Sequence, residues 1–288
     1  MRTFQIFLFA AALLVAVVWF TAGRANRPAG PADSKIEVLV DEAEKGSAEA
    51  SFELSARNAF GIRGVDRNWK DAYYWAGRAA EAGSADGLAA RGAMESTGLG
   101  APLDTGLGAS HLAKAAGSGN LAALYVQGVL EAFGQGAGAT GGQSGLGKIR
   151  KAADGGFARA QYALGLVYRG GLFGVPKDPA EAMRWMEKAA KQADPDACGT
   201  LGAAYMKGDG VSTSFEEAWS WLAAAADTDP RWEKLSYEAR NSLNTRDARD
   251  NENAVIFSRR EYGKRKFRPS PAALAAEEGT GFPKIKFK

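Results

Sequence analysis

Gly142-Gln-Ser-Gly-Leu-Gly147-Lys148 has the G-x4-G-K spacing with which a glycine-rich turn cradles phosphates beside a lysine. The next residue is Ile149, where magnesium-dependent phosphate loops need Ser or Thr. Just upstream, Gly136-Ala-Gly138-Ala-Thr-Gly141 has the G-x-G-x-x-G spacing of a dinucleotide turn. Both need a strand before them and a phosphate-facing helix after them, but a helical pattern precedes them here. The sequence therefore assigns residues 132–147 to a long turn between helices, with no nucleotide and no other cofactor. His111 is the only histidine and Cys198 the only cysteine, so neither a histidine-rich nor a cysteine-rich metal site can form, and no intrachain disulfide can. No serine stands in a G-x-S-x-G elbow. The reading is of no catalytic residue and no metal ligand. His111 is assigned to packing, and Cys198 to a buried position on a helix.

Two charged or polar pairs remain. Arg91 and Glu95, then Gln127 and Glu131, are each spaced i, i+4, so the members of each pair share a helical face. Buried without partners, such groups would each cost several kcal/mol, about the loss of a charge-assisted hydrogen bond. They are thus expected either to pair with each other or to be exposed. Together with the 132–147 stretch they form the candidate protein-binding region.

These residues are positioned by an internal repeat. Trp75, His111, Lys148, Trp185 and Trp221 are spaced by 36, 37, 37 and 36 residues. Each closes the apolar face of one helix, and each is followed by small residues such as Ala79-Ala80, Ala115-Ala116, Ala152-Ala153, Ala189-Ala190 and Ala225-Ala226. A preceding helix carries Leu164, Gly165 and Tyr168 in one copy, and Leu201, Gly202 and Tyr205 in the next. Arg91 and Glu95, like Gln127 and Glu131, stand at the Leu and Tyr positions of their own copies. One such helical hairpin cannot bury its own apolar face, whereas stacked copies bury a continuous core. The fold class expected is all-α: an α/α superhelical solenoid of about five helix-turn-helix repeats, with an N-terminal hydrophobic helix.

The pattern A-x3-LG-x2-Y-x2-G-x-G-V…D-x3-A-x2-W-x2-KAA-x2-G resembles the Sel-1-like repeat family, relatives of the tetratricopeptide repeats. It is clearest at Ala163-Leu164-Gly165, Tyr168, Gly171, Asp178, Ala182, Trp185 and Lys188-Ala-Ala190, and again at Leu201-Gly202, Tyr205, Gly208-Asp-Gly-Val211, Ala218 and Trp221. The resemblance implies a non-enzymatic protein-binding scaffold or adaptor of the bacterial cell envelope, regulatory or concerned with assembly. An immunity-type inhibitor that neutralises a secreted toxin or lipase effector in the periplasm is the alternative it implies.

Phe4–Phe20 is apolar apart from Gln5 and follows Arg2. As a helix this run spans about 26 Å, between a long signal peptide and a short membrane span. Residues 1–23 are read as a signal anchor or signal peptide and 24–32 as a linker. A capping helix over 33–45, five repeats over 46–227, capping helices over 231–262 and a basic flexible tail over 263–288 follow. The body is expected to be anchored in the inner membrane and face the periplasm, or to be secreted to the periplasm if the run is cleaved. Net charge is +3, distributed as +6 over residues 259–288, +3 over 1–27 and −6 between them. A phosphate backbone needs a basic surface, so the acidic body points away from nucleic acid; the protein partner is what the family resemblance implies.

Overall fold

A computed structural model describes residues 35–61, 65–134 and 142–244. Among these residues there are twelve α-helices and no strand. The first, α1 (Ile36–Glu44), precedes five hairpins: α2 (Ala48–Phe60) with α3 (Trp69–Glu81), α4 (Ala85–Thr97) with α5 (Thr105–Gly117), α6 (Leu121–Ala132) with α7 (Gly142–Asp154), α8 (Ala158–Gly170) with α9 (Pro179–Ala190), and α10 (Pro195–Lys207) with α11 (Phe215–Ala226). They are numbered here as repeats one to five. A 3₁₀ turn at Pro230–Trp232 leads into α12 (Glu233–Asn244). The chain divides into two compact units, Met1–Leu164 and Gly165–Lys288. The described residues of each have the helical-repeat architecture expected of an α/α solenoid. The apolar run Phe4–Phe20, residues 245–262 and the basic tail lie outside the described residues. Among the described residues no helix is long and apolar enough to cross a membrane.

Local chemistry sets the helix boundaries. Ser47, Asn68, Ser84, Asp104, Asn120, Asp178, Asp194 and Ser214 are N-caps, each accepting a backbone N–H of the first turn through its side chain. The cap also closes the turn inside the hairpin. In four repeats its own N–H donates to a carbonyl near the end of the preceding helix: Asn68 to Asn58, Asp104 to Glu95, Asp178 to Tyr168 and Ser214 to Tyr205, at 2.8–3.0 Å. The acceptor is always the Tyr-column position. Because that position is held through its carbonyl, its side chain is free to be Asn, Glu or Tyr without altering the turn.

The core is built from small residues. Ala79, Ala115, Ala152, Ala189 and Ala225 are fully buried at one register position, as are Ala50, Ala123, Ala160 and Ala197 at another. Alanine there lets helix backbones approach closely, and stacked hairpins bury what one would expose. Leu54, Leu112, Leu164, Leu201 and Leu222 supply the larger volume.

Cys198 is buried on α10, with its thiol 3.5 Å from the Ala190 carbonyl. Burial, reinforced by the nearby charge of Asp194, pushes its pKa up to about 12. Only the thiolate reacts, so a raised pKa keeps this side chain inert at neutral and mildly alkaline pH. Iodoacetamide at pH 8 should label the native chain negligibly and the urea-unfolded chain fully, as read by intact mass.

Candidate protein-binding face

In repeats four and five the Tyr and Trp columns carry Tyr168 with Trp185, and Tyr205 with Trp221. Both tryptophans are buried. Repeats two and three change both columns together, and the new residues pair across the hairpin. Glu95 on α4 places Oε2 2.6 Å from Nδ1 of His111 on α5. Its other oxygen, Oε1, accepts from Nε of Arg91 at 3.1 Å and from the Tyr73 hydroxyl at 2.9 Å. Glu131 on α6 accepts from the Ser144 hydroxyl at 2.7 Å, and its Oε2 lies 2.7 Å from the Lys148 ammonium on α7. The Tyr and Trp of repeats four and five are thus replaced by a carboxylate paired with His111 in repeat two and with Lys148 in repeat three.

The side chain of Glu95 is 1% exposed and that of Arg91 29%. A carboxylate this deep is tolerable only when its charge and lone pairs are met. Three donors from three helices, α3, α4 and α5, meet them. The Arg91 guanidinium also lies over the Tyr73 ring, 5.6 Å from its centroid. Burial, then the hydrogen bond and charge of Glu95, push the Tyr73 hydroxyl pKa up. For Arg91, burial works against the charge, but Glu95 and Tyr73 outweigh it and the net shift is upward. The cluster is a closed charge network. Glu95 is committed to structural donors and so holds His111 in place of aromatic packing.

Of the four residues singled out in the sequence, Arg91 and Glu95 pair with each other and Glu131 pairs elsewhere. Gln127 is half-buried on α6, one turn before Glu131. Two expectations need correction. His111 is a hydrogen-bond partner of Glu95 as well as a packing residue. The 132–147 stretch is not one long turn: Gly142–Asp154 is helix α7, so Gly145, Gly147 and Lys148 lie within a helix and the G-x4-G-K spacing forms no phosphate cradle. Residues 136–141, with the second glycine motif, lie outside the described residues. Among the described residues, no group of three or more His, Cys, Asp or Glu side chains is placed to hold a metal ion. The sequence reading missed Tyr73, Ser144 and Lys148 as carboxylate partners. It also missed Arg57, buried on α2 and paired with Glu53 at 3.0 Å. The signal for His111 and Lys148 was present, since both break the Trp column in the repeats whose Tyr column becomes Glu.

A model of the Sel1 repeat matches residues 48–84, 85–120, 158–194 and 195–228. The segment between the second and third matches holds the α6–α7 hairpin, which lacks both column aromatics. The chain is 36% identical over 77 residues to cytochrome c oxidase assembly factor 7 of Xenopus tropicalis, and equally to cytochrome c oxidase assembly factor 7A of Xenopus laevis. Each alignment covers 27% of this chain and 33% of the relative, so the chain spans about a third of the length of these curated relatives. The crystal structure of a Sel1 repeat protein from Oxalobacter formigenes aligns with a TM-score of 0.53 at 26% identity, over 69% of this chain and 59% of that one.

Proposed function

Since this chain belongs to the Sel1 repeat family, we propose that it is a non-enzymatic scaffold that binds another protein through repeats two and three. One observation carries the assignment to these repeats. Both place a buried carboxylate at the Tyr-column position and pair it across the hairpin, Glu95 with His111 and Glu131 with Lys148, where repeats four and five carry Tyr and Trp. A fold that needed only packing would have no use for buried carboxylates, which at best break even against apolar residues of similar volume. The polar exchange therefore serves the outer surface. The apolar run Phe4–Phe20 supports a place at the bacterial inner membrane, with the body in the periplasm.

The variant chosen to test this must leave the buried carboxylates with hydrogen-bond donors, which Tyr73, His111 and Ser144 supply. Reversing Glu131 to lysine would set two lysines together, so the useful changes are Arg91→Gln and Lys148→Gln, each at the solvent side of its pair. The tagged full chain, crosslinked in intact envelopes, is expected to capture a defined protein that the folded double variant captures at least about tenfold less. Equal capture by both would remove repeats two and three as the binding region. Stoichiometric inhibition of a captured toxin or lipase would favour the immunity-type reading over an assembly or regulatory role. N-terminal sequencing of the mature chain tests the anchor.

A further inference from the structure

The stretch from α4 to α7, residues 85–154, contains five Lys/Arg and five Asp/Glu, so it is neutral by count. Within the two carboxylate clusters, acidic and basic groups differ in depth. Glu95 and Glu131 are the buried members of their pairs, at 1% and 11% side-chain exposure, whereas Arg91, His111 and Lys148 stand at 29%, 21% and 40%. Asp86 accepts from the Asn120 amide at 2.7 Å, and Asp104 caps α5. Two of the five carboxylates, Glu95 and Glu131, are thus occupied inside the fold, and Asp86 and Asp104 are engaged nearer the surface, while the basic side chains face outward.

Helical spacing extends the basic surface. Lys114 lies three residues after His111 on α5, and Lys151 three residues after Lys148 on α7, so each shares a face with the residue before it. Both are exposed. Helices α4 and α6 lie side by side, which brings the Arg91 and Gln127 positions of successive repeats onto neighbouring helices. The hydrogen-bonding capacity is equally one-sided. Arg91 gives Nε to Glu95 and also meets Tyr73, yet its five N–H donors outnumber these partners, and Lys148 spends one of three ammonium donors on Glu131. The face offers donors and cations with few acceptors.

We propose that this face of repeats two and three binds an acidic segment of a protein partner, its carboxylates received by Arg91 and Lys148 with Lys114 and Lys151 at the margin. This rests on the reading of repeats two and three as a protein-binding region and names the chemistry of the partner. The chain's own residues 259–288, at +6, have the wrong sign to occupy the face. Charge-assisted bonds to carboxylates are the strong ones this donor set can form, and they weaken with salt when exposed.

The test uses the full chain and three fluorescein-labelled twelve-residue peptides of equal length, one Glu-rich, one with Gln at each Glu and one with Lys. Fluorescence anisotropy at low salt should show the Glu-rich peptide binding at least about tenfold more tightly than the other two, and losing most of that preference at ~0.5 M salt. Arg91→Gln with Lys148→Gln should abolish the preference, and Arg184→Gln on α9 should leave it unchanged. Carbodiimide coupling of the Glu-rich peptide to the wild-type chain needs no variant, so it holds even if the double variant does not fold. Adducts should favour Lys148 and Lys151 over Lys234, whose side chain is 89% exposed. Equal binding of the Glu and Gln peptides, adducts that simply follow exposure, or binding of anionic phosphatidylglycerol vesicles without binding of the peptide would each overturn the proposal. Envelope capture that still depends on Arg91 and Lys148, without any preference for acidic peptides, would overturn it while leaving the protein-binding reading intact.

Discussion

Replacing Glu95 with alanine is expected to destabilise repeat two by about 3–5 kcal/mol, the usual cost of removing one partner from a buried ion pair. Arg91 is the most exposed of the three donors and can turn toward water, which draws the cost toward the lower end. Tyr73 and His111 have less freedom, because each is held at the α3–α4 or α4–α5 contact. A stronger expectation follows from the column exchange. Arg91→Leu with Glu95→Tyr and His111→Trp recreates the Leu164, Tyr168 and Trp185 arrangement of repeat four. The triple variant should be as stable as wild type or more stable by up to about 4 kcal/mol, as when apolar residues replace a buried ion pair. Glu95→Tyr alone should be destabilising, because it leaves His111 and Arg91 without their carboxylate. The single and triple variants together form a cycle whose non-additivity measures the coupling. Hydrogen-exchange mass spectrometry, read on peptides from α4 and α5, localises the change to this repeat, which a whole-chain melt of a repeat protein would average. If Glu95→Ala exchanges like wild type, the buried carboxylate contributes nothing to stability. The restored aromatic arrangement should also bind the Glu-rich peptide more weakly, separating stability from recognition.

The repeat architecture was legible because its signals are periodic. Trp75, Trp185 and Trp221 stand at one column position, and Asp178 followed by Pro179 announces a helix start. The i, i+4 pairing of Arg91 with Glu95 was also legible, since helical geometry alone sets it. The partnership of Glu95 with His111 was not, although both residues depart from their columns. Comparing a residue with its equivalents in other repeats tells what the fold prefers there. It does not tell which residue of the facing helix it touches, 16 positions away. That contact becomes inferable only when departures in the two columns are read together, copy by copy. Arg57 was illegible for a different reason: its burial beside Glu53 depends on the packing around α2, and an i, i+4 Glu–Arg pair reads the same on a solvated face.

Glycine composition disguises the helix that starts at Gly142, and the physical cause yields the second large effect. Gly145 lies inside α7, where a Cβ would come within 2.4 Å of both the Ala132 nitrogen and the Gly128 carbonyl oxygen on α6. Real Cβ atoms do not approach backbone so closely, and backbone cannot turn aside as a side chain can. Gly147 sits two residues later on the same helix, exposed, and a Cβ added there would meet nothing within 4 Å. Intrinsic helix propensity favours alanine over glycine at either site by about 1 kcal/mol. Gly147→Ala should therefore stabilise the chain by up to that amount. Gly145→Ala should gain the same propensity yet lose more by forcing α6 and α7 apart, an overpacking cost of about 1–3 kcal/mol or somewhat more. Urea titrations should move the two variants in opposite directions, with faster exchange in α6 and α7 for Gly145→Ala alone. Were both to stabilise, the helices of repeat three would not cross in contact at Gly145. The same closeness explains why a glycine-rich segment forms a helix here. Helix contact at Gly145 offsets the poor propensity of the sequence, and it places Lys148, one turn further on, beside Glu131.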